Sequence, residues 1–202
     1  MLSITHEQAQ GWPHRTVLGV DEVGRGPWAG PVVAAAFSLP PDYRDIGLDG
    51  LHDSKKLTEK KREHLFDILT TLPHGIGMAS VEEIDARNIL QASLLAMRRA
   101  VEAYPLTPDH VLVDGNKLPD WTYDASCLVK GDALSPSIAA ASVIAKVTRD
   151  RMMVELDAAF PGYGWASNKG YGAKAHQEGL TLQGVTPHHR TSFAPIRRLL
   201  DG

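Results

Sequence analysis

TVLGVDEVGRGPWAGPVVAAAFSL, residues 16–39, is the stretch that decides the fold. The pattern TVLGVDE, from Thr16 to Glu22, is typical of a strand, and PVVAAAFSL, from Pro31 to Leu39, is typical of a second strand. The glycine-rich residues between them are typical of a turn. The sequence therefore predicts a hairpin-like pair of strands near its start.

Strands and helices alternate along the rest of the chain, and a glycine-rich and then helical segment ends it. The predicted elements are a helix from Thr58 to about Leu72, a strand from Gly75 to Val81, a helix from Ile84 to Tyr104, a strand from His110 to Gly115, a short strand from Cys127 to Lys130 and a long helix from about Ser135 to Phe160. This order predicts an α/β fold, with a central mixed sheet flanked by helices and a helical C-terminal extension. We expect one domain over residues 16–202, with its C-terminal helical part at about 161–202. We assign no role to residues 1–15.

The size and composition indicate an ordinary globular protein of 202 residues, 43% hydrophobic and 22% charged. Its longest apolar stretch, residues 138–145, is far shorter than the roughly 20 residues that a membrane span needs. The start, MLSITHEQAQ, lacks the pattern of a secretory signal, so we expect a cytoplasmic protein with no membrane association. The single cysteine, Cys127, excludes an internal disulfide and a cysteine-based zinc site, and we expect it in the core.

The net charge of −3 does not by itself favour a nucleic-acid partner, because phosphate binding normally accompanies a basic balance. The distribution of charge is more informative than its sum. Each basic cluster is also typical of a solvated helix face. The clusters are Lys55, Lys56, Lys60, Lys61 and Arg62, and then Arg190, Arg197 and Arg198.

Acidic residues stand at the ends of apolar strands, where acids are disfavoured unless they are paired. Asp21 and Glu22 close VLGV, Asp114 closes VLV, and Asp132 follows LVKG before the long helix. Clustered carboxylates raise one another's pKa, and a bound divalent cation removes that conflict. Oxygen-only ligands suit Mg²⁺ or Mn²⁺, so the constellation predicts a metal site. Alone, Asp114 is also typical of a turn before glycine, and Asp132 of a helix N-terminus.

The loop GRGPWAG, residues 24–30, follows the first two acids directly. Adjacent residues on a regular strand point to opposite faces, so Asp21 and Glu22 can share a site only where the strand ends or distorts. Gly24 and Gly26 predict that ending. A dinucleotide-binding fingerprint is excluded, because the third glycine comes one residue late and a strand follows in place of a helix. The loop is therefore either a backbone that contacts a ligand closely or a plain hairpin turn.

In seven ordered blocks the sequence resembles the ribonuclease HII family, the type 2 branch of the ribonuclease H group. The blocks are GVDEVGRGPWAGPVVAAA (19–36), LHDSKKL (51–57), NILQASLLAM (88–97), HVLVDGN (110–116), VKGDALSPSIAAASVIAKVTRD (129–150), KGY (169–171) and HHRTSFAPIR (188–197). They cover nearly the whole chain after about residue 15. The resemblance implies a ribonuclease H-like fold.

The resemblance also implies roles for particular residues. The metal-binding catalytic carboxylates would be Asp21, Glu22, Asp114 and Asp132. The loop of Gly24, Arg25 and Gly26 would read the ribonucleotide 2′-hydroxyl through backbone groups. Tyr171 would pack on the deoxyribose of the next nucleotide. Candidate phosphate contacts are Lys55, Lys56, Lys146 and Lys169, and the run of His188, His189 and Arg190 could also touch the nucleic-acid backbone.

The fourth acid is the least certain of the set. Asp132 could orient a water molecule in place of binding metal directly. Asp150 is a rival, but it lies eighteen residues further along the chain (150 minus 132), about five helical turns, so we do not expect both at one site.

The expected reaction is hydrolysis of a phosphodiester on the 5′ side of a ribonucleotide, leaving a 3′-hydroxyl and a 5′-phosphate, with two cations about 4 Å apart at the scissile phosphate. The substrates would be RNA/DNA hybrids and DNA duplexes that contain ribonucleotides, and the reaction would remove ribonucleotides from DNA. Protein partners stay open. Alternatives are a transposase-like or junction nuclease, a catalytically silent nucleic-acid-binding module and a nucleotide-cofactor binder. The glycine loop and Tyr171 argue against a transposase-like or junction nuclease. The presence of all four acids argues against a silent binding module. The failed dinucleotide fingerprint argues against a cofactor binder.

Overall fold

A mixed five-stranded sheet forms the centre of the computed structural model, which describes residues 2–48, 50–52 and 54–202. The strand order is β3-β2-β1-β4-β5. The first three strands are antiparallel neighbours, whereas β1, β4 and β5 run parallel. The expected opening hairpin is confirmed. The strands are β1 (Val17–Val23), β2 (Val32–Ser38), β3 (His74–Ala79), β4 (His110–Asp114) and β5 (Ala125–Leu128).

Helices cover the sheet and form the C-terminal part, so the predicted α/β fold is confirmed. Short 3₁₀ turns occur at Ser54–Lys56 and Gly131–Ala133. The helices are α1 (Thr5–Ala9), α2 (Glu59–Leu69), α3 (Val81–Arg87), α4 (Ile89–Glu102), α5 (Pro136–Ala159), α6 (Trp165–Asn168), α7 (Lys174–Gln183) and α8 (Ala194–Asp201).

The helix predicted from Ile84 to Tyr104 is instead two helices, α3 and α4. Asn88 separates them with a φ of 73°, a left-handed conformation that asparagine tolerates better than most residues. Its side chain accepts hydrogen bonds from the amides of Leu90 and Gln91 and so begins α4. The preceding strand is also shorter than predicted, because Ser80 caps α3.

The two faces of the sheet are covered by different helices, as the alternation of side chains along β1 and β2 requires. Leu18, Val20 and Ala34 belong to the core under α4, whereas Ala35 and Phe37 belong to the core under α5. The long helix α5 crosses β1 very closely. A Cβ on Gly19 would lie 2.2 Å from the backbone of α5, so only glycine allows this approach.

The N-terminal end of α5 is held by a buried carboxylate from α1. Glu7 Oε1 accepts hydrogen bonds from the hydroxyls of Ser135 and Ser137 and from the amide of Ser137. A negative charge stabilises a helix N-terminus. Residues 1–15 were given no role from the sequence, and this contact ties α1 to the helix that follows Asp132; Met1 lies outside the described residues.

The C-terminal helices pack on the second half of α5 through a separate small core. Tyr163 and Trp165 stack there at 4.9 Å between ring centroids, against Met153 of α5 and Ala29 of the loop after β1. This core therefore joins the C-terminal part to the glycine loop.

The expectation that Cys127 lies in the core is wrong, because its side chain is exposed. It belongs to β5, the four-residue strand at the edge of the sheet. In the described part of the chain, no helix is both long enough and apolar enough to cross a membrane.

Candidate active site

Asp21 and Asp114 are neighbours at one end of the sheet. The parallel strands β1 and β4 pair as far as Val20 and Val113, and the next residue on each strand is an aspartate. Asp114 Oδ1 accepts a hydrogen bond of 2.6 Å from the amide of Gly131. This bond fixes the 3₁₀ turn that carries Asp132 beside the end of β4. The structure thus brings together the four acids singled out from the sequence, because the charges of Glu22, Asp114 and Asp132 all act on Asp21.

Glu22 points to the opposite face of the sheet, because β1 continues regularly to Val23 and the strand has not ended at the acids. Its carboxylate lies 3.3 Å from the Arg25 guanidinium. Both side chains line a groove of about 100 Å³ between the end of β4 and α4, and Asp114 lines the same groove. Across residues 2–48, 50–52 and 54–202, no group of three or more His, Cys, Asp or Glu side chains is positioned to hold a metal ion.

The carboxylates nevertheless act on one another electrostatically. Burial raises the pKa of Asp21 well above its ordinary value, and the charges of Glu22, Asp114 and Asp132 raise it further. The pKa of Glu22 is also raised by burial, although Arg25 opposes that shift. Each ionised carboxylate therefore destabilises its neighbours, a conflict that a divalent cation would relieve. The oxygen-only donor set fits such a cation chemically.

A chain of hydroxyls connects Asp21 to the first basic cluster. Ser142 of α5 is hydrogen-bonded to the Asp21 carboxylate. Ser142 Oγ also lies 2.7 Å from Ser54 Oγ, at the start of the turn that carries Lys55 and Lys56. Both lysines are exposed, so the turn displays them beside the acids. In the same sequence block, Asp53 lies outside the described residues.

Lys146 lies one turn beyond Ser142 on α5 and forms an ion pair of 2.7 Å with Asp150. The described contacts link Asp150, the rival fourth acid, to this lysine and to neighbouring Arg149, and they do not link it to Asp21. Lys169 uses its Nζ to donate to the Ala166 carbonyl.

A buried arginine holds the glycine loop. The Arg190 guanidinium donates to the carbonyl of Gly30 at 3.0 and 2.8 Å, to that of Arg25 at 3.0 Å and to that of Gly24 at 2.6 Å. Burial and the neighbouring Arg149 charge lower the pKa of Arg190 to about 9. The Arg190 guanidinium therefore interacts with carbonyl groups inside the protein and does not face solvent.

Arg149 holds the same loop from α5. It donates to the carbonyls of Ala29, Pro31 and Lys169, at 2.9 to 3.1 Å. Gly24 has a φ of 98°, and a Cβ there would lie 2.3 Å from Arg149 Nε, so a side chain at this position would break the arrangement.

Tyr171 lies directly against the loop. A Cβ on Gly26 would lie 3.2 Å from the Tyr171 ring, which is 51% exposed. The amide of Trp28 donates to the Gly170 carbonyl at 2.8 Å and so joins the two segments. The structure therefore places Tyr171 next to Gly24, Arg25 and Gly26, as predicted for a shared site.

Two residues expected at the nucleic-acid backbone are instead internal. His189 and Arg190 are fully buried, because they close the C-terminal core and the loop, and the expectation that they touch nucleic acid is wrong. Arg149 and Ser142 also support the site, and neither residue was predicted from the sequence. The sequence signal that could have indicated them is the presence of an arginine and a serine within the largely apolar helix of residues 136–159.

The ribonuclease HII family model matches residues 18–196. The chain belongs to the ribonuclease HII family. It is 57% identical over 190 residues to the ribonuclease HII of Magnetococcus marinus, covering 92% of this chain and 88% of that protein. Membership of the ribonuclease HII family makes the protein a nuclease, a hydrolase with ribonuclease H activity on RNA/DNA substrates.

Solved structures share the fold. The crystal structure of ribonuclease H2 from Pyrococcus horikoshii OT3 superposes with a TM-score of 0.76 at 27% identity, covering 92% of this chain and 97% of that one. The structure of Bst-RNase HIII in complex with Mn²⁺ has a TM-score of 0.76 at 23% identity and covers 96% of this chain and 71% of that one.

Replacing Arg190 by lysine keeps the charge and loses the planar fork that reaches several carbonyls. We expect the free energy of unfolding to fall by about 2 to 4 kcal/mol, since buried carbonyls lose their partners. Urea unfolding measures this fall, and hydrogen exchange of residues 24–31 should rise with it. Arg197→Lys is the matched control, because Arg197 is exposed on α8. Equal stability of the two variants would contradict the role given to Arg190.

Proposed function

We propose that this ribonuclease HII cuts the phosphodiester on the 5′ side of a ribonucleotide in a DNA duplex or in an RNA/DNA hybrid, leaving a 3′-hydroxyl and a 5′-phosphate. One observation carries the proposal: the Asp21 and Asp114 carboxylates lie side by side, and Asp21 is three residues before the glycine loop that contacts Tyr171. The carboxylates, which are suited to phosphodiester hydrolysis, thus lie next to the glycine loop and Tyr171, which are suited to sugar recognition.

Asp21, Glu22, Asp114 and Asp132 would hold the divalent cation or cations, Mg²⁺ or Mn²⁺. The raised pKa of Asp21, caused by burial and by its acidic neighbours, supports this assignment. Glu22 lines one groove with Asp114, and it would exchange its contact with Arg25 for the cation, so the closed cage is itself part of the proposal. The Mn²⁺ complex of Bst-RNase HIII agrees with the choice of cation. Bound cations would activate water and stabilise the departing 3′-oxygen.

The loop of Gly24, Arg25 and Gly26 would read the 2′-hydroxyl, the group that distinguishes RNA from DNA locally. Recognition through backbone atoms requires a backbone that does not move. Arg190 and Arg149 supply that rigidity through the loop carbonyls. A rigid loop would hold the bound ribose in one position next to the acids. Such positioning lowers the entropic part of the activation barrier for cleavage.

Tyr171 would pack on the sugar on the 3′ side of the ribonucleotide. Its half-exposed ring lies directly beside Gly26 and offers an apolar face to the sugar that follows the one at the loop. A 2′-hydroxyl on that second sugar would meet the ring, so a deoxyribose is preferred. The preferred target would be an RNA-to-DNA junction.

Phosphates of the duplex would contact the exposed Lys55 and Lys56, which the Ser54 to Ser142 contact holds next to Asp21. Lys146 and Lys169 are weaker candidates, because Asp150 and the Ala166 carbonyl already engage their ammonium groups. We infer that the activity serves ribonucleotide removal in DNA repair in the cytoplasm, and that residues 16–202 act as one catalytic domain.

Asp21→Asn and Asp114→Asn should each lower cleavage by on the order of 100-fold or more, the effect expected from losing one preorganised electrostatic group. In EDTA the same variants should melt at an unchanged or higher temperature, because each removes one charge from a repulsive cluster. Asp42→Asn is the control, since Asp42 is exposed beyond the opposite end of β2. Near-normal turnover of either active-site variant would refute the metal assignment.

Tyr171→Ala should impair cleavage at a single embedded ribonucleotide more than cleavage within a run of four ribonucleotides. Loss of apolar packing on one sugar is worth about 1 kcal/mol, or roughly 5-fold in rate. The measurement is the ratio of the two rates on otherwise identical labelled duplexes. An equal fall on both substrates would mean that Tyr171 gives general support and does not recognise the junction.

End-group analysis of the products tests the reaction itself. Water that attacks in line expels the upstream 3′-oxygen and leaves the phosphate on the ribonucleotide, so we expect a 5′-phosphate on the downstream fragment and no cutting in EDTA. An enzyme using the 2′-hydroxyl as nucleophile would cut on the 3′ side with an acid-base pair, such as two histidines. The buried His189 is unsuited to that role. A 2′,3′-cyclic phosphate, or undiminished cutting in EDTA, would overturn the mechanism.

A further inference from the structure

Two buried histidines lie behind Tyr171, outside the carboxylate site. His176 of α7 is completely buried, and His189 is 1% exposed. Their Nε2 atoms are 3.0 Å apart, within hydrogen-bonding distance. Two neutral imidazoles can share such a bond only if one Nε2 carries a proton and the other does not.

The surrounding partners decide which ring carries that proton. His176 Nδ1 lies 2.9 Å from the Tyr171 carbonyl, which can only accept, so His176 is protonated at Nδ1. Its Nε2 is then an acceptor, and its single lone pair is shared by the Trp165 indole N–H at 3.1 Å and the Nε2–H of His189 at 3.0 Å. His189 Nδ1 accepts from the Thr186 amide at 2.9 Å. Every donor in this chain therefore meets an acceptor.

The chain of bonds requires both rings to be neutral. A second proton on His176 would set its Nε2–H against the Nε2–H of His189, and a second proton on His189 would set its Nδ1–H against the Thr186 amide. Burial lowers the pKa of His176, and burial together with His176 lowers the pKa of His189 to about 4. Near neutral pH the arrangement is therefore complete, and its direction is fixed from Thr186 to Tyr171.

Tyr171 depends on this support because its ring is half exposed. The described polar contacts of Tyr171 are through its backbone: its amide donates to the Asn168 carbonyl, and its own carbonyl accepts from His176 and from Ala173. The carbonyl contact with His176 links this short turn to the buried C-terminal core. The position of the ring beside Gly26 follows from that anchor.

We propose that the neutral His176–His189 pair is a positioning device that fixes Tyr171 against the glycine loop and so sets the preference for a deoxyribose on the 3′ side of the cut. The two histidines act through Tyr171 and do not touch the substrate. The inference rests on the role proposed above for Tyr171.

Asparagine and glutamine at position 176 separate the contact that His176 makes through Nδ1 from the contacts that it makes through Nε2. Asparagine places an N–H near the position of Nδ1 and keeps the bond to the Tyr171 carbonyl. Glutamine reaches the position of Nε2 and loses that bond. Both substitutions remove aromatic packing from the core, so a merely structural role predicts similar behaviour for the two variants.

The test compares wild type, His176→Gln, His176→Asn, Tyr171→Ala and the double variant Tyr171→Ala/His176→Gln on duplexes with one and with four ribonucleotides. We expect His176→Gln to shift the rate ratio several-fold toward that of Tyr171→Ala, and His176→Asn to stay within twofold of wild type. The double variant should match Tyr171→Ala. A wild-type ratio in His176→Gln, or equal shifts in both position-176 variants, would overturn the inference and leave the proposed reaction intact.

Amide hydrogen exchange gives a second readout that does not depend on activity. Residues 171–173 should exchange at least tenfold faster in His176→Gln and near the wild-type rate in His176→Asn. If Tyr171→Ala leaves the rate ratio unchanged, the junction role fails, and the exchange rates alone decide whether His176 positions the turn.

Nitrogen NMR of the histidine rings in the wild-type protein covers the case in which a variant does not fold. At pH 7 we expect a neutral His176 protonated at Nδ1 and a neutral His189 protonated at Nε2. The opposite tautomers, or a charged ring, would disprove the arrangement.

Discussion

The site depends on buried guanidinium groups that hold a loop by its carbonyl oxygens. Arg190 comes from the C-terminal part and Arg149 from α5, and both reach the chain between Gly24 and Pro31. Without them the loop carbonyls would be buried and unpaired, at a cost of about 1 to 3 kcal/mol each. The pairing also ties the C-terminal part to the site, because the loops between its helices carry Arg190 and Tyr171 to the end of the sheet where the acids lie.

The burial of these two arginines determines which basic residues remain at the surface. The chain is acidic overall, with a net charge of −3, and its two most buried arginines face inward. Exposed basic residues also lie close together on the turn of Lys55 and Lys56 and at the start of α2. Under the proposed function, this local patch beside Asp21 would attract phosphates although the net charge of the protein is negative.

Sequence reasoning recovered the parts of the fold that local patterns encode. The strand patterns of β1 and β2 are local, and the acids were identified because they interrupt apolar runs. Asn88 was missed because a left-handed residue between two helices leaves the apolar spacing unchanged. Cys127 was misplaced because an edge strand resembles a buried one in sequence. Arg190 was assigned to the surface because a charge in a polar segment does not reveal partners 160 residues away.

Under the proposed function, recognition and cutting share one continuous backbone at this site. Asp21 and Gly24 are three residues apart, so a shift of the loop that admits a wrong sugar would also shift the strand end that carries the acid. Discrimination would then arise in the rate of the chemical step as well as in affinity, because a sugar without the 2′-hydroxyl would leave the scissile phosphate poorly aligned with the carboxylates. This coupling would require a rigid loop, since a flexible one would absorb the misfit. The buried arginines would thus convert a small chemical difference, one hydroxyl, into a difference in position at the reacting bond.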